Sequence, residues 1–193
     1  MKICVGLIDR EAKMNIDMAQ RLIELSKYYD FNLIYSQRTG ISHARTSVLL
    51  QANQSQCEVM WFIDTDVSLQ IRKEDIDRIV DKVIHDKAVV VNPVPNARFG
   101  IYLEGETKEI SFRNFFPIKR SGFWSVWIPL PLEYYFHDDC HVENGQVLCY
   151  GEDMYFYDEY KGPKYAYLVP AEHIKDIHIM VNNQGINVGG YRP

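Results

Sequence analysis

The chain has 193 residues, 47% of them hydrophobic and 24% charged, and a net charge of −5. That describes one ordinary globular domain without the basic face of a general nucleic-acid binder. No apolar stretch approaches the roughly 20 residues of a membrane span. The N-terminus reads as a first strand rather than a signal peptide, so the expected location is the cytoplasm.

Residues 3–8 form a short apolar run and predict a buried strand. Ile16, Ala19, Leu22 and Ile23 then recur at helical spacing, and 31–35 reads as a second strand. Over 42–52, Ala44, Val48, Leu49 and Ala52 mark a helix with Ser42 as its expected N-cap. The continuous run Val59, Met60, Trp61, Phe62, Ile63 suits a central parallel strand covered on both faces. Ile76, Ile79, Val80, Val83 and Ile84 make an amphipathic stripe, and 88–91 adds a strand. The alternation predicts an α/β layer with a mainly parallel sheet, whose ligands bind at the carboxyl ends of the strands. There is no G-x-G-x-x-G after the first strand and no P-loop anywhere.

After Pro93 the texture changes. Residues 100–112 and 142–149 read as hairpins, and 122–128 as an aromatic-rich strand that Pro129 and Pro131 end. A helix is predicted from Glu152, a last core strand over 165–169, and a polar, Gly-rich tail over 182–193. With no C-x-x-C pair, a structural zinc site is not expected. Cys4 and Cys57 read as core. Cys140 and Cys149 flank a turn at which a disulfide is open to them, although free thiols are the rule in a cytosol.

Four segments can carry chemistry. In Phe62-Ile63-Asp64-Thr65-Asp66, two carboxylates follow a buried strand, where charge is costly unless it is paired or binds metal. Hard cations such as Mg²⁺ or Mn²⁺ take such oxygen ligands and leave positions for substrate phosphates. A turn with an N-cap Asp is the bland alternative. Gly151-Glu152-Asp153 opens a predicted helix, where acids are favoured by the helix dipole but can also serve as a base toward an acceptor hydroxyl. His173 and His178 are late histidines able to complete a metal site. Arg45 lies in the first turns of its helix, either to meet phosphate or base or simply to be solvated.

In this order, HARTSVLLQA, WFIDTDVSL, YGEDMYFYDEYKG and a late His resemble glycosyltransferases of the GT-A fold, over roughly residues 1–180. The look is nearest to short members such as those of archaeal viruses. The resemblance implies a Rossmann-like, mostly parallel sheet flanked by helices, with a nucleotide-sugar half over 1–96. A smaller β-rich acceptor half would span 97–181. It implies Asp64 and Asp66 as the D-x-D motif, with Asp66 the direct metal ligand and Asp64 also toward ribose or donor sugar. Asp153 would be the catalytic base, Glu152 would orient a substrate hydroxyl, and His178 would be the third metal ligand, with His173 as second choice. Arg45, Asp9 and Arg10 would approach the nucleotide. The implied cofactor is Mn²⁺ or Mg²⁺. The implied partners are a nucleotide-sugar donor and a glycan, protein or small-molecule acceptor, and the implied reaction is a single inverting displacement. A sugar-nucleotide nucleotidyltransferase is the neighbouring enzyme class, although the glycine-free IDREAK loop speaks against it. An inactive sugar- or nucleotide-binding module is the non-enzyme alternative.

Overall fold

The structure is a computed structural model that describes residues 1–8, 14–36, 40–94, 101–103, 111–143, 146–173, 178–182 and 185–189. Of residues 141–143, 146–150 and those after 171 it describes the backbone only. The first half alternates as its apolar patterning predicts: β1 (Lys2–Leu7), α1 (Ile16–Leu25), β2 (Asp30–Tyr35), α2 (Ile41–Asn53) and β3 (Val59–Ile63). A short β4 (Val67–Leu69), α3 (Lys73–His85) and β5 (Val89–Val91) follow. The second half is strand-rich, with β6 (Tyr102–Leu103), β7 (Phe115–Arg120), β8 (Ser125–Pro129), β9 (Asp139–Glu143) and β10 (Gln146–Tyr150). Then come α4 (Glu152–Glu159), β11 (Lys164–Tyr167), β12 (Ala171–His173), β13 (His178–Asn182) and β14 (Gly185–Gly189). Residues 185–189, inside the segment that reads as a polar tail, thus pair with β13 as a hairpin.

The main sheet has the order β2-β1-β3-β8-β5-β11-β7-β6. Strands β2, β1, β3, β5, β11 and β6 point one way, and β8 and β7 run against them. The α/β class is as expected, with one feature that periodicity cannot supply. The aromatic strand β8 enters the middle of the sheet antiparallel, between β3 and β5. It brings Trp127 against Trp61, ring centroids 4.1 Å apart. Fully buried Asn92 satisfies this layer's polar atoms. Its Oδ1 accepts from Trp127 Nε1 at 2.7 Å and from Ser125 Oγ at 3.1 Å, and its Nδ2 donates to the Tyr167 carbonyl at 2.9 Å. Buried polar groups are tolerated when partnered in this way.

The helices pack as their stripes dictate, with two exceptions. In α1 the buried face is Met18, Leu22 and Leu25, whereas Ile16 and Ile23 are exposed. In α2 the N-cap is Gly40, at φ 90°, not Ser42. Only glycine adopts that backbone cheaply, and Ser42 is instead buried, with Oγ donating to Asp138 Oδ1 at 2.9 Å. A side chain on Gly6 of β1 would run into Met60 and Val48, so its absence lets α2 lie directly on the sheet.

Candidate active site

Through α1 the chain passes from β1 outward to β2, while through α3 it passes from β3 the other way along the sheet to β5. The gap between β1 and β3 is therefore a topological switch point, the place where open α/β sheets bind ligands beyond the strand ends. Asp64 is the first residue past β3 at that edge.

Asp64, Thr65 and Asp66 form the turn from β3 into β4, closed by the Val67 N–H donating to the Asp64 carbonyl at 3.2 Å. Neighbouring segments fix it. The Asp64 N–H donates to the Trp124 carbonyl at 2.8 Å, and the Asn15 N–H donates to the Thr65 carbonyl at 3.0 Å. Asn15 also caps α1, its Oδ1 accepting from the N–H groups of Asp17 and Met18. With its backbone so held, Asp66 stands exposed at the surface and Asp64 keeps 31% of its side chain accessible.

Arg45 joins this turn to the start of α4. Its side chain is only 5% exposed. Nη1 donates to Glu152 Oε1, and Nη2 donates to Asp64 Oδ1 at 3.3 Å and to the Phe123 carbonyl at 3.4 Å. The guanidinium lies over the Phe123 ring, 4.4 Å from its centroid. The D-x-D turn and the Gly-Glu-Asp segment, 88 positions apart from Asp64 to Glu152 (152 − 64), are thus tied by one buried cation. Arg45 is not a solvated helix residue. It shares the buried face of α2 with Val48, Leu49 and Ala52, at i+3, i+4 and i+7, and that spacing is the sequence signal for its burial. Sequence reasoning missed the segment Gly122 to Ser125, which supplies the carbonyls of Phe123 and Trp124. A side chain at Gly122 would strike the Trp124 ring.

Burial pushes the Asp64 carboxyl up to about 6, Arg45 pulls it down, and the charges of Asp66 and Glu152 push it up again. Two buried donors flank the same place without a partner among the described residues, Arg45 Nε and the Tyr157 hydroxyl. Burial, and after it the charge of Asp153, holds the Tyr157 phenol well above its ordinary range. Asp153, in the first turn of α4, accepts the Met154 N–H at 2.8 Å through Oδ1.

The remaining predicted residues divide by backbone placement. Strand β12 pairs antiparallel with β4 and sets His173 opposite Val67, next to Asp66 in the chain. His178 opens β13, whose partner is β14. The register therefore places His173, the second choice, beside the D-x-D turn, and does not do so for His178. Asp9 and Arg10 lie outside the described residues, although β1 ends at Leu7 opposite Ile63. Among the described residues no three His, Cys, Asp or Glu side chains converge. Two carboxylates on one turn still fit a hard cation that keeps water or phosphate in its other positions.

No family model and no curated protein matches the chain by sequence. Among solved structures it is similar to A197 from STIV, at 17% identity and TM-score 0.64 over 100% of this chain and 96% of that one. The chain has the fold of A197. HddC from Yersinia pseudotuberculosis gives 9% identity and TM-score 0.44, over 88% of this chain and 71% of that one. A glycosyltransferase involved in the glycosylation of the major capsid of PBCV-1 gives 15% and 0.35, over 67% and 61%.

Proposed function

We propose that the chain is a metal-dependent glycosyltransferase that moves a sugar from a nucleotide-diphospho-sugar to an acceptor hydroxyl. One observation carries this reading: at the switch point, Arg45 holds Asp64 of the D-x-D turn and Glu152 of the Gly-Glu-Asp segment on a single guanidinium. The shared guanidinium brings the acids of both segments to one place beyond the strand ends.

In this reading Asp66 and Asp64 hold Mg²⁺ or Mn²⁺, with His173 or His178 as a third protein ligand. The bound cation supplies positive charge against the leaving diphosphate. Asp64 also faces ribose or donor sugar. Glu152, fixed by Arg45, orients the acceptor hydroxyl, and Asp153 takes its proton as the oxygen attacks the anomeric carbon. One displacement inverts the configuration.

Calorimetry with nucleoside diphosphates tests the first half: affinity with Mn²⁺ present and lost in EDTA is expected, because acids facing a diphosphate repel it without a cation. Equal affinity in both would remove the metal. Asp153→Asn tests the second half, with donor affinity kept and turnover falling about 10²–10⁴-fold. Unchanged turnover would reduce Asp153 to a helix-dipole role. Product from a nucleoside triphosphate and a sugar phosphate would instead identify a nucleotidyltransferase.

A further inference from the structure

Away from the site, at the opposite end of the same strands, two cysteines meet. Cys4 sits in β1 opposite Met60 of β3, and Cys57 lies just before β3 begins. Their Sγ atoms are 2.7 Å apart, with Cys4 fully buried and Cys57 9% exposed. Ser55 fixes both: its Oγ stands 3.1 Å from Cys4 Sγ, accepts the Cys57 N–H at 3.2 Å, and donates to the Ala52 carbonyl at 2.6 Å. Asn32 Nδ2 reaches Cys4 Sγ at 3.6 Å from the other side, on β2. Both thiols are free in the structure, and the pair is preorganised from the turn after α2 and from β2, so little ordering remains to be done when a bond closes.

We propose that Cys4 and Cys57 form a disulfide that staples β1 to the entrance of β3. The bond would enclose α1, β2 and α2 in one covalent loop of 52 intervening residues (57 − 4 − 1). A loop of that size removes much conformational freedom from the unfolded chain. Two S–H bonds break and one S–S bond forms. The two electrons and two protons pass to a disulfide oxidant such as oxidised glutathione, which is cleaved to two thiols. One observation besides the proximity supports the bond. Cys140, whose register partner across the β9–β10 hairpin is Cys149, is disulfide-bonded, so the chain already accommodates an oxidised pair. Burial, and next the Cys57 contact, push the Cys4 thiol up to about 11, so Cys4 is nearly all thiol in the reduced, folded chain. The inference is independent of the transferase reading, because the cysteines lie at the amino ends of the strands and Asp64 beyond their carboxyl ends.

The experiment uses the full chain carrying Cys140→Ser and Cys149→Ser, so that Cys4 and Cys57 are the sole thiols. Protein refolded with oxidised glutathione is denatured, treated with N-ethylmaleimide and weighed. The expected result is no adduct, a mass about 2 Da below the dithiol, and a peptide joining Cys4 to Cys57. Its melting temperature should exceed that of the dithiothreitol-treated sample by on the order of 10 °C. Cys57→Ala, which leaves Cys4 in place, should abolish that difference. Two maleimide adducts, glutathione mixed disulfides alone, or a melting temperature indifferent to dithiothreitol would each overturn the proposal.

Discussion

Two aspartates of this fold are each paired with an arginine, and they differ in what surrounds them. Asp75, in the first turn of α3, is 2% exposed. Its Oδ1 accepts from the Tyr167 hydroxyl at 2.9 Å, and its Oδ2 accepts from the Arg72 N–H at 2.9 Å and Arg113 Nη1 at 2.8 Å. Both oxygens are satisfied by strand, helix and loop at once, and nothing more is wanted there. Asp64 has one long contact to Arg45, which it shares with Glu152, and its carboxyl is pushed up to about 6. The first is a buried carboxylate completed by the fold. The second is left incomplete at the mouth of a switch point, where a ligand can finish it.

Removing the arginines should separate the two most widely. Arg45→Met removes a buried guanidinium and leaves the partly buried Asp64 and Glu152 without their cation, and should cost about 3–5 kcal/mol of stability in urea unfolding. Arg113→Met should cost less, roughly 1–3 kcal/mol, because Arg113 is 28% exposed and Asp75 keeps Tyr167 and the Arg72 N–H. Equal losses would erase the distinction between the two acids.

Activity should divide them next. Asp66→Ala should lower transfer by about 10²–10³-fold, the several kcal/mol that a positioned cation contributes against a leaving diphosphate. Asp66 is exposed in its turn, so the melting temperature should hardly move. Asp75→Asn should do the reverse, lowering stability while leaving turnover per folded molecule unchanged. Steady-state rates beside melting curves check both.

Much of this was legible in the sequence because it is local. The apolar run before Asp64 gives β3, the spacing of Ile76, Ile79, Val80 and Val83 gives α3, and Gly151-Glu152-Asp153 opens α4 as expected. What escaped is long-range. A strand's pattern carries no direction, so the antiparallel insertion of β8 was invisible. In α1 two stripes compete, and packing chose Met18 and Leu25 over Ile16 and Ile23. Ser42 reads as a cap because its partner Asp138 is 96 residues away. Nothing local marks Asp75 as buried, and only the folded chain reveals Arg113 and Tyr167 around it. The late histidines needed the β12–β4 register before either could be placed.

The smallest expected effect is a pH dependence, and it bears on the comparison most directly. In EDTA and without nucleotide, the Asp64 carboxyl titrates near 6 in the folded chain against an ordinary value of 3.8. Between those values the folded state binds more protons than the unfolded one, so Asp64's contribution to stability is present below pH 4 and is lost as pH rises to about 6. Above that it is constant. Asp64→Asn has no carboxyl to ionise, so the melting temperature of the wild type minus that of the variant should fall between pH 4 and 6, by on the order of 5 °C. The other titrating groups are common to both proteins and cancel in the difference. Were the Arg45 attraction dominant over burial and the charges of Asp66 and Glu152, the difference would rise instead, and Asp64 would belong with Asp75 as a satisfied carboxylate. Mn²⁺ supplies the contrast. In the proposed reading it binds the ionised carboxylates, so with Mn²⁺ present the wild type should gain on the variant as pH rises through 6. A difference that falls identically with and without Mn²⁺ would leave Asp64 uncomfortable but not a ligand.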